Sequence, residues 1–185
     1  MNSKNQGFTI IELVITLALA AVVAGLAAPS VVNMIRENAV VAINNQIVAD
    51  IQFTRSEAIK RNIPVTICAA NADQDACIVS NDWSNGWIAF AETITVNGAV
   101  DAGEPIVRVN EGASSDTMTI RTSTAGNIVG HVAFQGNGFP VIPPAGTLPN
   151  TNFLVCEDNN TTYSRSIRIN QSGRVESAGQ ATGCS

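Results

Sequence analysis

A long apolar run near the N-terminus constrains the fold of this chain more than any other feature. The run extends from Phe8 to Ala28 and carries a single charge, that of Glu12. Its 21 residues would span roughly 30 Å as a helix, which is the thickness of one bilayer core. A carboxylate deep in lipid costs about 2.5–3.5 kcal/mol on insertion scales. We therefore expect a membrane-spanning helix in which Glu12 finds a partner.

An ordinary secretory signal peptide does not fit these residues. Such peptides carry several cations, an apolar stretch of about 7–15 residues and a small-x-small cleavage site. Here Lys4 is the single cation before the run, and the run is longer and contains an acid. A plain membrane anchor explains the length of the run but explains neither Gly7 nor Glu12.

The N-terminal segment resembles the class III leader of type IV prepilins. The resemblance lies in Gly7-Phe8-Thr9, in Glu12 four residues after Phe8, and in the apolar run that reaches Pro29. It implies that a prepilin peptidase cleaves between Gly7 and Phe8 and that the new Phe8 amine is N-methylated. It also implies that Glu12 pairs with the N-terminal amine of a neighbouring subunit, which would be the missing partner.

Three segments follow from this resemblance. Residues 1–7 would be the leader peptide, residues 8–28 the transmembrane and assembly helix, and residues 29–185 a periplasmic globular domain. That domain is large enough for one core. The chain has a formal net charge of −5, and an acidic protein is a poor non-specific binder of nucleic acid.

Four cysteines lie beyond the apolar run, at Cys68, Cys77, Cys156 and Cys184. They form no CxxC pair, and one histidine leaves little for a Cys/His zinc site. An even number of cysteines beyond a membrane anchor favours disulfides in an oxidising compartment. Of the three pairings, Cys68–Cys77 with Cys156–Cys184 is the simplest, because each bond closes a loop within one block of sequence.

The helix is expected to continue past the membrane. Apolar or small residues recur at helical spacing in the next segment, at Ile43, Ile47, Ile51, Thr54 and Ala58. Polar residues are expected on the other faces: Arg36, Asn44, Asn45, Asp50, Arg55, Glu57 and Lys60. Pro64 marks the end. One helix from Phe8 to about Asn62, with a candidate kink at Pro29, therefore has an apolar first half and an amphipathic second half.

The rest of the chain predicts short antiparallel strands. Candidate segments are residues 64–69, 86–90, 106–109, 118–121, 128–134, 153–156, 164–169 and 174–177, with a hairpin turn at 171–173. Residues 91–104 and 135–151 are predicted loops. Together these elements predict an α+β fold.

Three segments resemble the GspH/FimT group of minor pilins and pseudopilins: residues 53–62, 65–68 and 83–90. Residues 102–108 and 172–175 resemble the loop and C-terminal hairpin of the same group. The resemblance implies a long N-terminal helix packed on two antiparallel β-sheets, as in pilins.

Chemistry-bearing residues are sparse, and we predict no enzyme, no cofactor and no metal site. His131 is interpreted as a surface or edge-strand histidine, since no second histidine or carboxylate pair supports it. Asp101 and Glu104 lack the ligand spacing of a calcium loop. The two sequons in residues 159–162 are interpreted as a polar turn. Trp83 and Trp87 are expected in the core rather than at a binding surface.

A nucleic-acid site would depend on Arg174. Some FimT-type pilins carry a Gly-Arg-x-Arg motif at the C-terminal hairpin, and this chain reads Gly173-Arg174-Val175-Glu176. The acid replaces the second arginine and repels phosphate. Arg165 and Arg168 lie on opposite faces of the preceding strand by alternation.

The resemblance therefore implies a minor type IV pilin at the pilus tip or in the initiating complex. Its partners would be other major and minor pilins, the prepilin peptidase and, before assembly, the bacterial inner membrane; nucleic acid is an unlikely partner. The chain would face the periplasm first and the cell exterior in the pilus. The alternatives are a GspH-type minor pseudopilin of type II secretion and a FimT-type DNA-binding pilin for natural transformation.

Overall fold

The computed structural model describes residues 7–93, 96–113, 115, 117–122, 130–141, 151–181 and 183–184. The chain divides into two compact units, Met1–Asn38 and Ala39–Ser185. One helix and eight strands follow in chain order: α1 Ile10–Arg61, β1 Val65–Ala69, β2 Trp87–Ala91, β3 Ile106–Asn110, β4 Met118–Thr122, β5 His131–Phe134, β6 Thr151–Glu157, β7 Asn160–Ile169 and β8 Val175–Ala178.

Helix α1 has a clear signal at each end. Thr9 precedes it, and the Thr9 hydroxyl oxygen accepts the Glu12 N–H at 3.3 Å, which satisfies one of the free donors of the first turn. At the other end Asn62 adopts a left-handed conformation with φ of 54°, which is a common way for a helix to stop. The predicted end near Asn62 is confirmed, and the helix is continuous through Pro29.

The N-terminal unit exposes apolar side chains along its helix. Every residue from Gly7 to Gly25 is exposed, and so are Val31, Val32, Met34 and Ile35. Within the described residues, α1 is the one helix long and apolar enough to cross a membrane, through a stretch near the N-terminus.

The second unit contains two four-stranded antiparallel sheets. The first sheet has the order β3-β2-β1-β5 and the second has the order β4-β6-β7-β8. Ile67 lies at the centre of the first sheet, opposite Ala89 on β2 and Val132 on β5. In the second sheet β6 and β7 form a long hairpin, with Phe153 opposite Ile167.

The core of the second unit is made by α1 and one face of each sheet. The five helical positions predicted to face inward, from Ile43 to Ala58, are all buried. Four of them, all except Thr54, belong to one apolar cluster with side chains from both sheets, among them Ile67, Trp87, Phe153 and Ile167. The predicted architecture, a long helix packed on two antiparallel sheets, is therefore confirmed.

The prediction for the polar face of the helix was wrong at three positions. Asn44, Asp50 and Glu57 are buried, with relative exposures of 3%, 0% and 7%. Asp50 lies three residues after Ile47 and four before Thr54, so helical geometry places it on the inward face. Asn44 and Asp50 hydrogen-bond to residues of the sheets, whereas Glu57 pairs with Lys60 and Arg61 of its own helix.

The predicted strands are all present where the structure describes the chain. Residues 128–129 of the fifth predicted strand lie outside the described residues, as do 142–150 of the second predicted loop. The hairpin of β6 and β7 is longer than predicted, because β7 begins at Asn160 rather than Ser164. Its turn uses Asp158 and Asn159, both in the left-handed region with φ of 53°, as a two-residue hairpin turn requires.

Candidate functional site

The start of α1 presents the candidate processing and assembly residues. Phe8 lies just before the helix and is 86% exposed, and Glu12 is exposed in the first turn. Thr9 and Glu12 have the Ser/Thr-x-x-Glu spacing of a capping box, and the Thr9 hydroxyl accepts the backbone N–H of Glu12. A carboxylate in the first turn is also favoured by the helix dipole. The Glu12 carboxylate stays accessible to a partner.

A buried polar network joins the second half of α1 to the first sheet. One carboxylate oxygen of Asp50 accepts the Trp87 indole N–H and the Asn110 amide, each at 2.9 Å. The other carboxylate oxygen lies 2.5 Å from Nε of Arg108 in an ion pair. A buried carboxylate costs free energy unless it is paired and hydrogen-bonded. Asp50 is paired with Arg108 and hydrogen-bonded through Oδ2, while Oδ1 has the ion pair but accepts no hydrogen bond. The network fixes α1 against β2 and β3.

Arg108 also makes a cation–π contact with Phe53 of the helix. Its guanidinium carbon lies 4.8 Å from the centre of the Phe53 ring, which is within the range of a cation–π contact. Its side chain is 42% exposed, whereas that of Asp50 is 1% exposed. Arg108 therefore lies partly at the surface, on the edge strand β3 of the first sheet, and balances the charge of the buried Asp50.

Glu57 stabilises the last turns of the helix by pairing with two cations. Its carboxylate accepts Arg61 Nε at 2.7 Å and Lys60 Nζ at 2.9 Å. The hydrogen bond from Arg61, followed by that from Lys60, holds the pKa of Glu57 below its ordinary value. The two cations also lie in the last turn of α1, where the helix dipole favours positive charge.

Glu92 and Glu104 organise the loop between β2 and β3. The Asn97 N–H donates to Glu92 at 2.9 Å, and the Thr66 hydroxyl also donates to Glu92. Glu104 accepts the Thr93 N–H at 2.7 Å and the Asp101 N–H at 3.0 Å. Burial raises the pKa of Glu92, and the charge of Glu104 adds to that effect. Asp101 and Glu104, which lack the ligand spacing of a calcium loop, stabilise this loop through hydrogen bonds.

Two disulfides stabilise the second unit. The structure joins Cys68 to Cys77 and Cys156 to Cys184, with Cα–Cα distances of 5.6 and 5.9 Å. This is the pairing that the sequence favoured. The second bond holds the C-terminal segment on the second sheet, where the Ala181 N–H donates to the Ser164 hydroxyl at 3.0 Å.

The C-terminal hairpin places Arg174 beside an acid. Nε of Arg174 lies 3.0 Å from a carboxylate oxygen of Glu176, and both side chains are exposed. Arg168 is exposed and Arg165 is half-buried on the same strand. Glu176 lies opposite Arg168 in the β7–β8 register and pairs with Arg174, so the positive charge of Arg174 is partly compensated.

Three candidate residues remain: His131, Trp83 and Trp87. His131 begins the edge strand β5, as predicted, and the loop at Gly98 passes its ring. Trp83 and Trp87 are buried, which confirms their assignment to the core. In the described ranges, no group of three or more His, Cys, Asp or Glu side chains could hold a metal ion.

Two family models match the sequence. The model described as Type II transport protein GspH matches residues 44–173, and the model described as the prokaryotic N-terminal methylation motif matches residues 2–28. The chain belongs to the GspH family. The matched residues of this GspH-family chain include the Asp50 network, the whole first sheet and strands β4, β6 and β7 of the second sheet. None of the curated proteins compared with the chain matches it.

Two solved structures share the fold of this GspH-family chain. Both are crystal structures of the type IV minor pilin FimU of Pseudomonas aeruginosa. One has a TM-score of 0.61 at 24% identity and covers 80% of this chain and 96% of the FimU chain. The other has a TM-score of 0.57 at 24% identity, with 78% and 98% covered. The fold of this chain is that of a structural pilin.

Sequence interpretation missed the buried acids, although one signal was present. Ile43, Asp50 and Glu57 are seven residues apart, and residues at that spacing lie on one helix face. Asp50 and Glu57 could therefore have been assigned to the face that carries Ile43. No comparable signal exists for Glu92, because its burial depends on how the loop folds back over β1.

Proposed function

We propose that this GspH-family chain is a minor type IV pilin. The observation that carries the proposal is the division of α1 into an exposed apolar first half and a second half built into a domain core. A surface as apolar as residues 8–25 needs lipid or other apolar helices around it. A helix of this kind at the head of a pilin-fold domain suits a filament subunit.

The first step is membrane insertion and processing. The apolar segment of residues 8–28 anchors the chain in the bacterial inner membrane, with the domain in the periplasm. A prepilin peptidase cleaves between Gly7 and Phe8, and the new Phe8 amine is methylated. Support comes from the match of residues 2–28 to the methylation motif. Gly7 has no side chain, and no other atom lies within 4 Å of where one would be, so a peptidase can reach the bond.

The second step is incorporation into the pilus. The apolar helix leaves lipid for a bundle of pilin helices, near the filament tip or in the complex that initiates it. There Glu12 opposes the Phe8 amine of a neighbouring subunit. This pairing offsets the cost of placing a carboxylate among apolar side chains, and it selects the register between subunits.

A minor pseudopilin of type II secretion is the second candidate. The family description, Type II transport protein GspH, favours it. The pilin candidate is favoured by the two disulfides, because an extracellular appendage gains from covalent bonds that each contribute about 2–4 kcal/mol. A DNA-capturing role receives no such support, since Glu176 lies against Arg174.

A deletion strain separates the first two candidates. Loss of the gene should reduce surface pili and twitching, and the tagged full chain should appear in sheared pili at low abundance. Secreted proteins should remain at wild-type level. Normal pili together with periplasmic accumulation of secreted proteins would instead identify the chain as a pseudopilin. Complementation with the wild-type gene is the control.

A further inference from the structure

Three elements of the second unit meet at the C-terminal end of α1 and form a surface that the proposed function does not use. The contributing residues are Arg55 and Ile59 of the helix, Gly138 and Phe139 of the turn after β5, and Arg174 of the β7–β8 turn. We name this the helix-end surface.

Close contacts show that these elements meet. Arg55 donates from Nη1 to the Gly173 carbonyl at 3.1 Å. A Cβ placed on Gly138 would lie 2.8 Å from the Ile59 side chain and 3.3 Å from Arg55 Nε. The turn therefore lies directly on the helix, and Gly138, with φ of 80°, has no room for a side chain.

The helix-end surface has an apolar part. Ile59 is 51% exposed and Phe139 is 52% exposed, and the contact between Gly138 and Ile59 places both side chains at the same turn. Each can bury further apolar area against a partner, which is favourable at about 25 cal/mol per Å². Aromatic side chains of this kind are enriched at protein interfaces.

The surface also has an excess of positive charge. Arg174 pairs with Glu176. Among the described residues, no carboxylate reaches Arg55 to form an ion pair. The surface thus carries two cations and one neighbouring carboxylate, within a chain of formal net charge −5.

We propose that the helix-end surface docks a neighbouring protein subunit that presents a carboxylate beside an apolar side chain. The inference rests on the proposed pilin function and adds the chemistry of one contact. The carboxylate compensates the charge of Arg55, and the apolar side chain covers Ile59 and Phe139. A nucleic acid fits less well, because its phosphate backbone offers nothing to the apolar part and Glu176 repels it.

Photocrosslinking of the full chain in its native host tests the proposal. A benzophenone amino acid replaces Phe139, and a second strain carries it at Val79, which is 87% exposed and lies elsewhere on the domain. After irradiation, sheared pili and membranes are analysed by peptide mass spectrometry. Crosslinks from position 139 should join a peptide of another protein that contains Asp or Glu, and position 79 should give far fewer.

Charge variants sharpen the test. Arg55→Gln should lower the yield from position 139 about threefold, as expected for loss of one partly exposed ion pair. Arg121→Gln, an exposed arginine on β4, should leave the yield unchanged. A crosslink to nucleic acid or lipid, a partner peptide without an acid, equal yields at both positions, or insensitivity to Arg55→Gln would overturn the inference. A crosslink found in membranes without recovery in pili would contradict the pilus role and keep the docking surface.

Discussion

Acidic residues illustrate how position decides the effect of one functional group. Glu12 is exposed in the first turn of an apolar helix, Asp50 is buried in an ion pair, and Glu92 is buried without a cation. Each carboxylate needs a compensating partner, because an isolated buried charge is costly. For Glu12 the proposed function supplies that partner, the Phe8 amine of a neighbouring subunit.

Glu12→Ala should separate membrane insertion from assembly. Replacing an acid by an apolar residue leaves insertion intact or improves it. Incorporation into filaments should fall about tenfold or more, since a lost ion pair in an apolar environment is worth several kcal/mol. Immunoblots of membrane and sheared-pilus fractions measure both steps. Thr9→Ala removes the helix cap alone and serves as the control; equal recovery of Glu12→Ala and wild type in pili would remove the assembly role.

The Asp50 network should contribute measurably to stability. Asp50→Asn loses the charge that pairs with Arg108, and the Trp87 and Asn110 donors then share a poorer acceptor. We expect a loss of about 1–3 kcal/mol in the free energy of unfolding. Urea denaturation of a fragment from Arg36 onward measures it.

A double-mutant cycle isolates the ion pair. Asp50→Asn and Arg108→Gln together should show a coupling energy of about 1 kcal/mol, because Arg108 is partly exposed. Additive effects of the two single changes would mean that Asp50 acts through Trp87 and Asn110 alone.

Two glutamates should give pH dependences of opposite sign. The folded-state pKa of Glu92 is raised, so the folded state binds its proton more readily than the unfolded state. The contribution of Glu92 to stability is then present below the ordinary glutamate pKa and is lost as pH rises through the raised value. The pKa of Glu57 is lowered, so its contribution is present above the ordinary value and is lost as pH falls.

Stability profiles of Glu92→Gln and Glu57→Gln between acidic and neutral pH test this. Relative to wild type, the Glu92 variant should gain stability as pH rises. The Glu57 variant should lose stability, relative to wild type, as pH rises. Parallel profiles for the two variants would show that neither carboxyl group responds to its surroundings as the structure indicates.

At the scale of elements, sequence patterns predicted most of the fold. The helix from Phe8 to about Asn62 followed from apolar spacing and Pro64, and the strands followed from short β-branched segments between turn residues. Burial of Asp50 was missed because a charged side chain was assigned to solvent without testing its position against Ile47 and Thr54. The association of the Arg55 and Gly138 segments could not be predicted, since it depends on contacts between residues distant in sequence.

The two disulfides should contribute unequally. Their sequence separations are 9 and 28 residues, and constraint of the unfolded chain predicts about 2.6 and about 3.6 kcal/mol respectively. Replacing both members of each pair by Ser in the fragment from Arg36 onward, followed by urea denaturation, measures the two losses. Non-reducing peptide mapping of the parent is the control. A larger loss for Cys68 and Cys77 would show that native-state effects outweigh chain constraint.

At the scale of the whole molecule, the chain combines a segment suited to lipid with a domain suited to water. The first unit exposes apolar side chains, whereas the second unit buries its own in a continuous core. Stability of the domain and assembly of the helix can therefore be changed by separate substitutions. The proposed function therefore depends on the apolar segment that begins at Phe8 rather than on a pocket.

The mature chain should begin at Phe8 with a methylated amine. The match of residues 2–28 to the methylation motif motivates this expectation. Intact-mass analysis of protein from membranes and pili gives the answer directly, and a prepilin-peptidase-deficient strain is the control. Retention of residues 1–7, or cleavage after Ala28, would be incompatible with the proposed pilin role.

Under the proposed function the domain is exported, and the separation of the four cysteines along the chain then sets an order of events. Cys77 follows Cys68 after nine residues, so the first bond can close soon after that segment reaches the oxidising side of the membrane. Cys184 follows Cys156 only after the whole β7–β8 hairpin has crossed. Oxidation of the second pair thus reports that translocation has passed residue 184. A chain halted before residue 184 had crossed would carry one bond and two free thiols, those of Cys156 and Cys184, which distinguishes it from a chain ready for assembly.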